Sequence, residues 1–120
     1  MATIPPILLR KLYVPNSLRN QGEQFSFQLR NQIAPGTLVG LSRLMVNGED
    51  RPLDGVTLTT EGGTRRACGL SDDAPLAFEV GEQVTVSVPG TLAAGEHTIQ
   101  ITVQTREVGP LTFPVMDSVA

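Results

Sequence analysis

Apolar and polar residues alternate along several short segments of the chain. In segment 23–30, Phe25, Phe27 and Leu29 occupy every second position, and segments 83–88 and 97–104 show the same period. A period of two is typical of a β-strand with one face buried. Further short segments rich in Val, Thr, Ile and Leu predict strands at 7–14, 37–46, 56–60 and 76–80.

Turn signals separate these segments. Asn47-Gly48 is the strongest, because a two-residue hairpin turn needs positive φ at both positions. Segments 34–36, 62–63 and 89–95 are also rich in glycine and proline. No segment holds the apolar spacing of an amphipathic helix. The pattern predicts an all-β fold: one antiparallel β-sandwich, barrel-like, that forms a single domain over residues 1–120.

The two ends of the chain are apolar. Segment 105–120 contains two prolines, at positions 110 and 114, which predicts an irregular tail outside any central strand. Such a tail either covers its own core or docks on another chain. We expect docking, through Leu111, Phe113, Pro114, Val115 and Met116, and a folded sandwich after truncation at Glu107. Segment 4–9 is either an edge strand or a second interface arm.

Composition excludes several classes of function. The 120 residues carry a net charge of −3, which gives no electrostatic basis for nucleic-acid binding. No apolar run is long enough to span a membrane, and the first six residues lack the pattern of a secretory signal. The single cysteine favours a reducing compartment, so we expect a cytoplasmic protein.

Candidate chemistry is sparse, and we assign no catalytic, cofactor-binding or metal-binding residue. His97 is either a general base or a strand residue held by a neighbour, and the second interpretation is favoured because no activated nucleophile lies near it in sequence. Cys68 follows two arginines but has no base close in sequence. One histidine and one cysteine do not make a convincing zinc site. A calcium ion at Asp72-Asp73 stays an open alternative.

Four segments together resemble a known family. They are Met45-Val46-Asn47-Gly48-Glu49, segment 78–86 (FEVGEQVTV), segment 89–99 (PGTLAAGEHTI) and the apolar segment 110–114. In order and spacing they resemble the small β subunit of bacterial C-glycoside deglycosidases.

The resemblance implies a non-catalytic subunit in a heteromeric complex. Its partner would be a catalytic α subunit, a TIM barrel that holds a divalent metal, Mn or Mg. That complex would cleave the C–C bond between a 3-oxo sugar and an aromatic aglycone by elimination. The chain itself would need no cofactor. Two other hypotheses are a stand-alone carbohydrate-binding or adhesion-type sandwich and a small hydrolase that uses His97.

Overall fold

The computed structural model describes residues 9–119, of which most lie in antiparallel strands. Two 3-10 turns, Arg10–Leu12 and Ala67–Gly69, accompany ten strands. The strands are β1 (Arg19–Gln21), β2 (Gln24–Arg30), β3 (Gly36–Val46), β4 (Glu49–Asp50), β5 (Thr57–Thr60), β6 (Gly63–Arg66), β7 (Leu76–Phe78), β8 (Gln83–Pro89), β9 (Gly95–Thr105) and β10 (Gly109–Val119).

The strands form two sheets. The first has the order β1-β2-β8-β5-β6 and the second the order β10-β9-β3-β4. β7 pairs with the beginning of β3, whereas β4 pairs with its end. Every pairing is antiparallel, which confirms the predicted all-β sandwich.

The core lies between the sheets, and both contribute alternate residues to it. The first sheet supplies the residues predicted from the period of two, among them Phe25, Phe27 and Val86, each at most 1% exposed. From the second sheet come Leu44, Ile99, Ile101 and Phe113, equally buried. Burial of such apolar side chains is the main source of stability in a domain of this size.

The predicted hairpin at Asn47-Gly48 is confirmed. Asn47 and Gly48 have φ angles of 53° and 85°, and Val46 pairs with Glu49 directly across the turn. The return strand β4 is only two residues long. Close packing also requires glycine at position 55, because a Cβ there would lie 2.4 Å from Cγ of Pro89.

The predicted strand over 7–14 is wrong in its described part. Residues 10–12 form a 3-10 turn, and Tyr13 makes only an isolated bridge to Leu29. Leu9, Leu12 and Tyr13 are all buried, and their i, i+3, i+4 spacing suits a helical turn that places three side chains on one side. The remainder of the predicted N-terminal arm, residues 4–8, lies outside the described residues.

The prediction of an irregular C-terminal tail over 105–120 is also wrong. β10 pairs with β9 over eleven consecutive residues without a register shift. Thr98 of β9 directs its N–H and C=O towards Asn47, so the odd-numbered residues of β9 and β10 bond to each other. Pro110 and Pro114 are even-numbered, so the N–H that each lacks would have pointed to solvent. The prolines therefore fit a regular edge strand.

Candidate functional site

His97 is held by two hydrogen bonds inside the fold. Oδ1 of Asn47 accepts the backbone N–H of Thr98 at 3.0 Å, which fixes the amide orientation and points Nδ2 at His97. Nδ2 then donates to Nδ1 of His97 at 2.9 Å, so Nε2 carries the proton and donates to the carbonyl of Ala93 at 2.7 Å. Both ring nitrogens are occupied, and the imidazole ties the β3–β4 hairpin to β9. The interpretation of His97 as a strand residue satisfied by neighbours is confirmed.

Cys68 lies on the surface at the second 3-10 turn. Its thiol donates to the carbonyl of Leu53 at 3.3 Å. The two arginines before it point elsewhere: Arg65 donates to the carbonyls of the loop before β7, and Arg66 donates to the carbonyl of Asp54. Among residues 9–119, no three His, Cys, Asp or Glu side chains converge into a metal-binding group. The open alternative of calcium at Asp72-Asp73 gains no support, because Asp72 faces Arg106 with 3.5 Å between Nε and Oδ1.

A partly buried polar contact joins the two ends of the described chain. Oδ2 of Asp117, on β10, accepts the phenolic O–H of Tyr13 at 2.7 Å and the N–H of Leu18 at 3.2 Å. Oδ1 of Asp117 accepts the N–H of Ser118. Burial alone would raise the pKa of Asp117, but these hydrogen bonds outweigh burial and hold it below its usual range. Burial, and then the bond to Asp117, raise the pKa of Tyr13.

Sequence reasoning missed this contact. Tyr13 and Asp117 are 104 residues apart, and neither is part of a local motif. The contact attaches the segment between the first 3-10 turn and β1 to the last strand, β10. The hydrogen bonds named above all join groups within the molecule.

The five expected interface residues lie together on β10 but face two directions. Phe113 and Val115 are buried in the core, and Leu111 packs against it from a half-buried position. Pro114 and Met116 point outward, and Met116 is 61% exposed. Only the last two are available to a partner without opening the sandwich.

Around Met116, the outer surface of the second sheet carries mainly uncharged side chains. We call this surface the outer face and define it by seven outward residues of β9 and β10: Thr98, Gln100, Thr102, Gln104, Thr112, Pro114 and Met116. Glu96, a further outward residue of β9, is exposed at one end of this face. Arg43 and Asp50 lie at its margin and neutralise each other through a two-bond ion pair of 2.7 and 3.1 Å. A shallow recess of about 380 Å³ lies beside Met116 and is bordered by Pro15, Asn16 and Thr98.

A second cavity lies at one end of the sandwich, between the two sheets. It has a volume of about 260 Å³ and opens to solvent on one side. We call it the end cavity. Its wall is formed mainly by apolar side chains from both sheets and from the first 3-10 turn: Leu12, Leu29, Ile33, Leu38, Phe78, Val103, Val108, Leu111 and Phe113.

Comparison with known protein families identifies the family to which the chain belongs. The family model of the hydroxymethylglutaryl-CoA reductase N-terminal domain matches residues 8–120. The chain belongs to this family. A comparison with curated proteins found no match. Within the described residues, no helix is long and apolar enough to cross a membrane.

Membership of the hydroxymethylglutaryl-CoA reductase N-terminal domain family overturns the resemblance to C-glycoside deglycosidases. The chain is not a C-glycoside deglycosidase β subunit, so the lyase activity and the TIM-barrel α subunit expected as its partner are wrong. The Mn or Mg expected in that partner rested on the same resemblance and has no other support. The alternative of a carbohydrate-binding or adhesion-type module is not supported by the match either.

The structure explains why the motifs misled. The glycines of the motifs all have positive φ: Gly48, Gly81 and Gly90 lie between strands, and Gly95 is the first residue of β9. The alternating strand β8 lies between Gly81 and Gly90, and the alternating strand β9 begins at Gly95. Such turn-and-strand combinations are required by antiparallel sandwiches in general, so they report the fold and carry little information about family.

Proposed function

We propose that this chain is a non-catalytic binding domain that works with the catalytic part of a hydroxymethylglutaryl-CoA reductase. Membership of the reductase N-terminal domain family carries this proposal. The engagement of His97 in two internal hydrogen bonds supports it, since the single imidazole of the chain serves the fold. The role of the domain is then to hold and stabilise the catalytic part.

The outer face is the surface that we propose for docking. Interface cores are depleted in charge and enriched in methionine. The seven residues that define the outer face are uncharged and include Met116, and the charged Glu96 lies at one end of them. Met116 gives it an exposed apolar anchor, and the adjacent recess can receive a partner side chain. Of the five residues expected from the sequence, Pro114 and Met116 make this contact. Phe113 and Val115 support the strand from beneath.

The edge of β10 is unsuited to adding another strand, which favours docking through the face. Of the five outward positions on β10, two are prolines without an N–H, and the N–H of Ser118 donates to Oδ1 of Asp117. Only Thr112 and Met116 then present a free donor. An incoming strand would leave several of its carbonyls without a partner, at a cost for each one buried.

We also propose that the domain acts in the cytoplasm. The support is the single cysteine, which lies exposed as a thiol at the surface. Proteins of oxidising compartments commonly protect or pair such residues.

The test is a turnover assay with the purified chain, the catalytic part of a reductase from the same organism, and their mixture. Hydroxymethylglutaryl-CoA consumption is followed with NADH or NADPH as the hydride donor. We expect no turnover by the chain alone, and a higher rate or a higher melting temperature for the catalytic part in the mixture. Turnover by the chain alone would refute the non-catalytic role. An unchanged rate and melting temperature in the mixture would refute the supporting role.

A further inference from the structure

We propose that the end cavity binds a small ligand with an aliphatic chain and a cationic end. The cavity is distinct from the outer face, since its wall consists of residues that point between the sheets. Its volume of about 260 Å³ exceeds the ~150 Å³ that suffices for a benzene molecule in an apolar protein cavity. In proportion, it holds a chain of about ten carbon atoms.

The polar groups of the wall bind one another, so none is left to recognise a polar ligand in the interior. Nδ2 of Asn31 donates to the carbonyls of Ala34 and Phe78 at 2.7 and 2.6 Å, and Oδ1 accepts the N–H of Ile33. Thr105 donates to the carbonyl of Gly109 and accepts the N–H of Val108. Transfer of a polar group into such a wall without a new partner is unfavourable. The interior therefore selects hydrocarbon.

Glu107 sets the charge preference at the mouth. Among the described residues that line the end cavity, it is the one charged side chain. Its carboxylate accepts the N–H and the hydroxyl of Thr37 at 2.9 and 2.8 Å, and these bonds hold its pKa below the usual range. The adjacent Arg106 turns to Asp72 and bonds its backbone carbonyl at 2.8 Å.

The Glu107 carboxylate therefore stays ionised at neutral pH and keeps lone pairs for one more donor on each oxygen. An ammonium group at the end of a bound chain would bond to it, whereas a carboxylate or phosphate end would be repelled. This charge preference distinguishes the site from a fatty-acid pocket.

The test uses three probes with the same eight-carbon chain: octylammonium, 1-octanol and octanoate. Each is titrated into the ¹⁵N,¹³C-labelled full chain, and methyl shifts are followed by NMR. We expect saturable shifts at the methyl groups of Leu38, Val103 and Leu111, with octylammonium binding about tenfold more tightly than octanoate and 1-octanol in between. Equal binding of octylammonium and octanoate, or shifts that do not saturate, would overturn the proposal.

Two variants locate the site. Val108→Trp fills the mouth of the cavity and should abolish the binding of all three probes, whereas Val80→Trp, at an exposed turn elsewhere, should leave it unchanged. Glu107→Gln keeps the cavity and the contacts of Thr37, so it should preserve 1-octanol binding and remove the preference for the cation. Should Val80→Trp weaken binding as much as Val108→Trp, or Glu107→Gln leave the preference intact, the assignment to the end cavity is wrong.

Discussion

Phe113 and Met116, three residues apart on β10, should differ sharply in how much stability is lost on truncation to alanine. Phe113 is 1% exposed and packs between the sheets, whereas Met116 is 61% exposed on the outer face. Phe113→Ala removes a fully buried ring and leaves a cavity, which costs about 3–5 kcal/mol of unfolding free energy. That is a large share of the roughly 5–15 kcal/mol by which a domain of this size is stable. Met116→Ala removes no core contact and should change stability by less than about 0.5 kcal/mol.

Urea unfolding followed by circular dichroism measures both changes, because the chain has no tryptophan and only one tyrosine for fluorescence. The midpoint of Phe113→Ala should fall well below that of the wild type, with an unchanged slope. Similar midpoints for the two variants would show that β10 does not pack as described. Such a result would instead support the prediction from sequence that this segment is an irregular docking tail.

Truncation after Glu107 tests the same strand as a whole. It removes Phe113, Val115 and Val119 from the core and every bond of the β10–β9 pairing. Contrary to the expectation from sequence, the structure predicts that the shortened chain loses its cooperative unfolding transition. A shortened chain with a cooperative transition close to that of the wild type would contradict this account.

Three further predictions follow from single contacts. Gly55→Ala should destabilise the protein by about 1–3 kcal/mol because the added Cβ would clash with the ring of Pro89. Gly69→Ala is the control: it has open space around it and no positive φ, so it should be nearly neutral. Equal melting temperatures of the two variants would refute this. The double substitution Pro110→Thr and Pro114→Val restores two outward N–H donors to the edge of β10 and should cause concentration-dependent self-association by light scattering; a monomer at all concentrations would contradict the edge-protection argument. The folded-state pKa of Asp117 is lowered, so its contribution to stability is present above about pH 4, the unfolded-state value, and is lost as pH falls through the folded-state value. Asp117→Asn should therefore reduce stability at neutral pH and flatten the acid limb of urea midpoints measured against pH, and a limb parallel to that of the wild type would refute the assignment.

Local sequence patterns predicted the strands that carry a strict period of two. β2, β8 and β9 are of this kind. Successive side chains of a strand point to opposite faces of the sheet, so a strand with one buried face has an apolar residue at every second position. The local pattern does not predict β10, because proline is unfavourable within a central strand, whereas in β10 the missing donors face solvent at a sheet edge. That edge position depends on strand order, which the local pattern does not encode.

The functional features depended still more on distant contacts. The bond between Tyr13 and Asp117 and the fixed tautomer of His97 both need residues that only the sandwich brings together. The end cavity is likewise assembled from loops and strands spread from Leu12 to Phe113. The resemblance drawn from the turn motifs was wrong because their glycines satisfy backbone geometry common to many sandwiches.

The central claim, that this chain is a binding domain docked on a reductase through its outer face, is tested most directly by size-exclusion chromatography with light scattering. The chain is mixed with the catalytic part of a hydroxymethylglutaryl-CoA reductase from the same organism. Met116→Arg is compared with Val80→Arg, because Met116 and Val80 are the two exposed large apolar side chains of the described residues, at 61% and 54%. We expect a stoichiometric complex that Met116→Arg abolishes and Val80→Arg preserves. No complex with the wild-type chain, or a complex that Met116→Arg leaves intact, would contradict the claim.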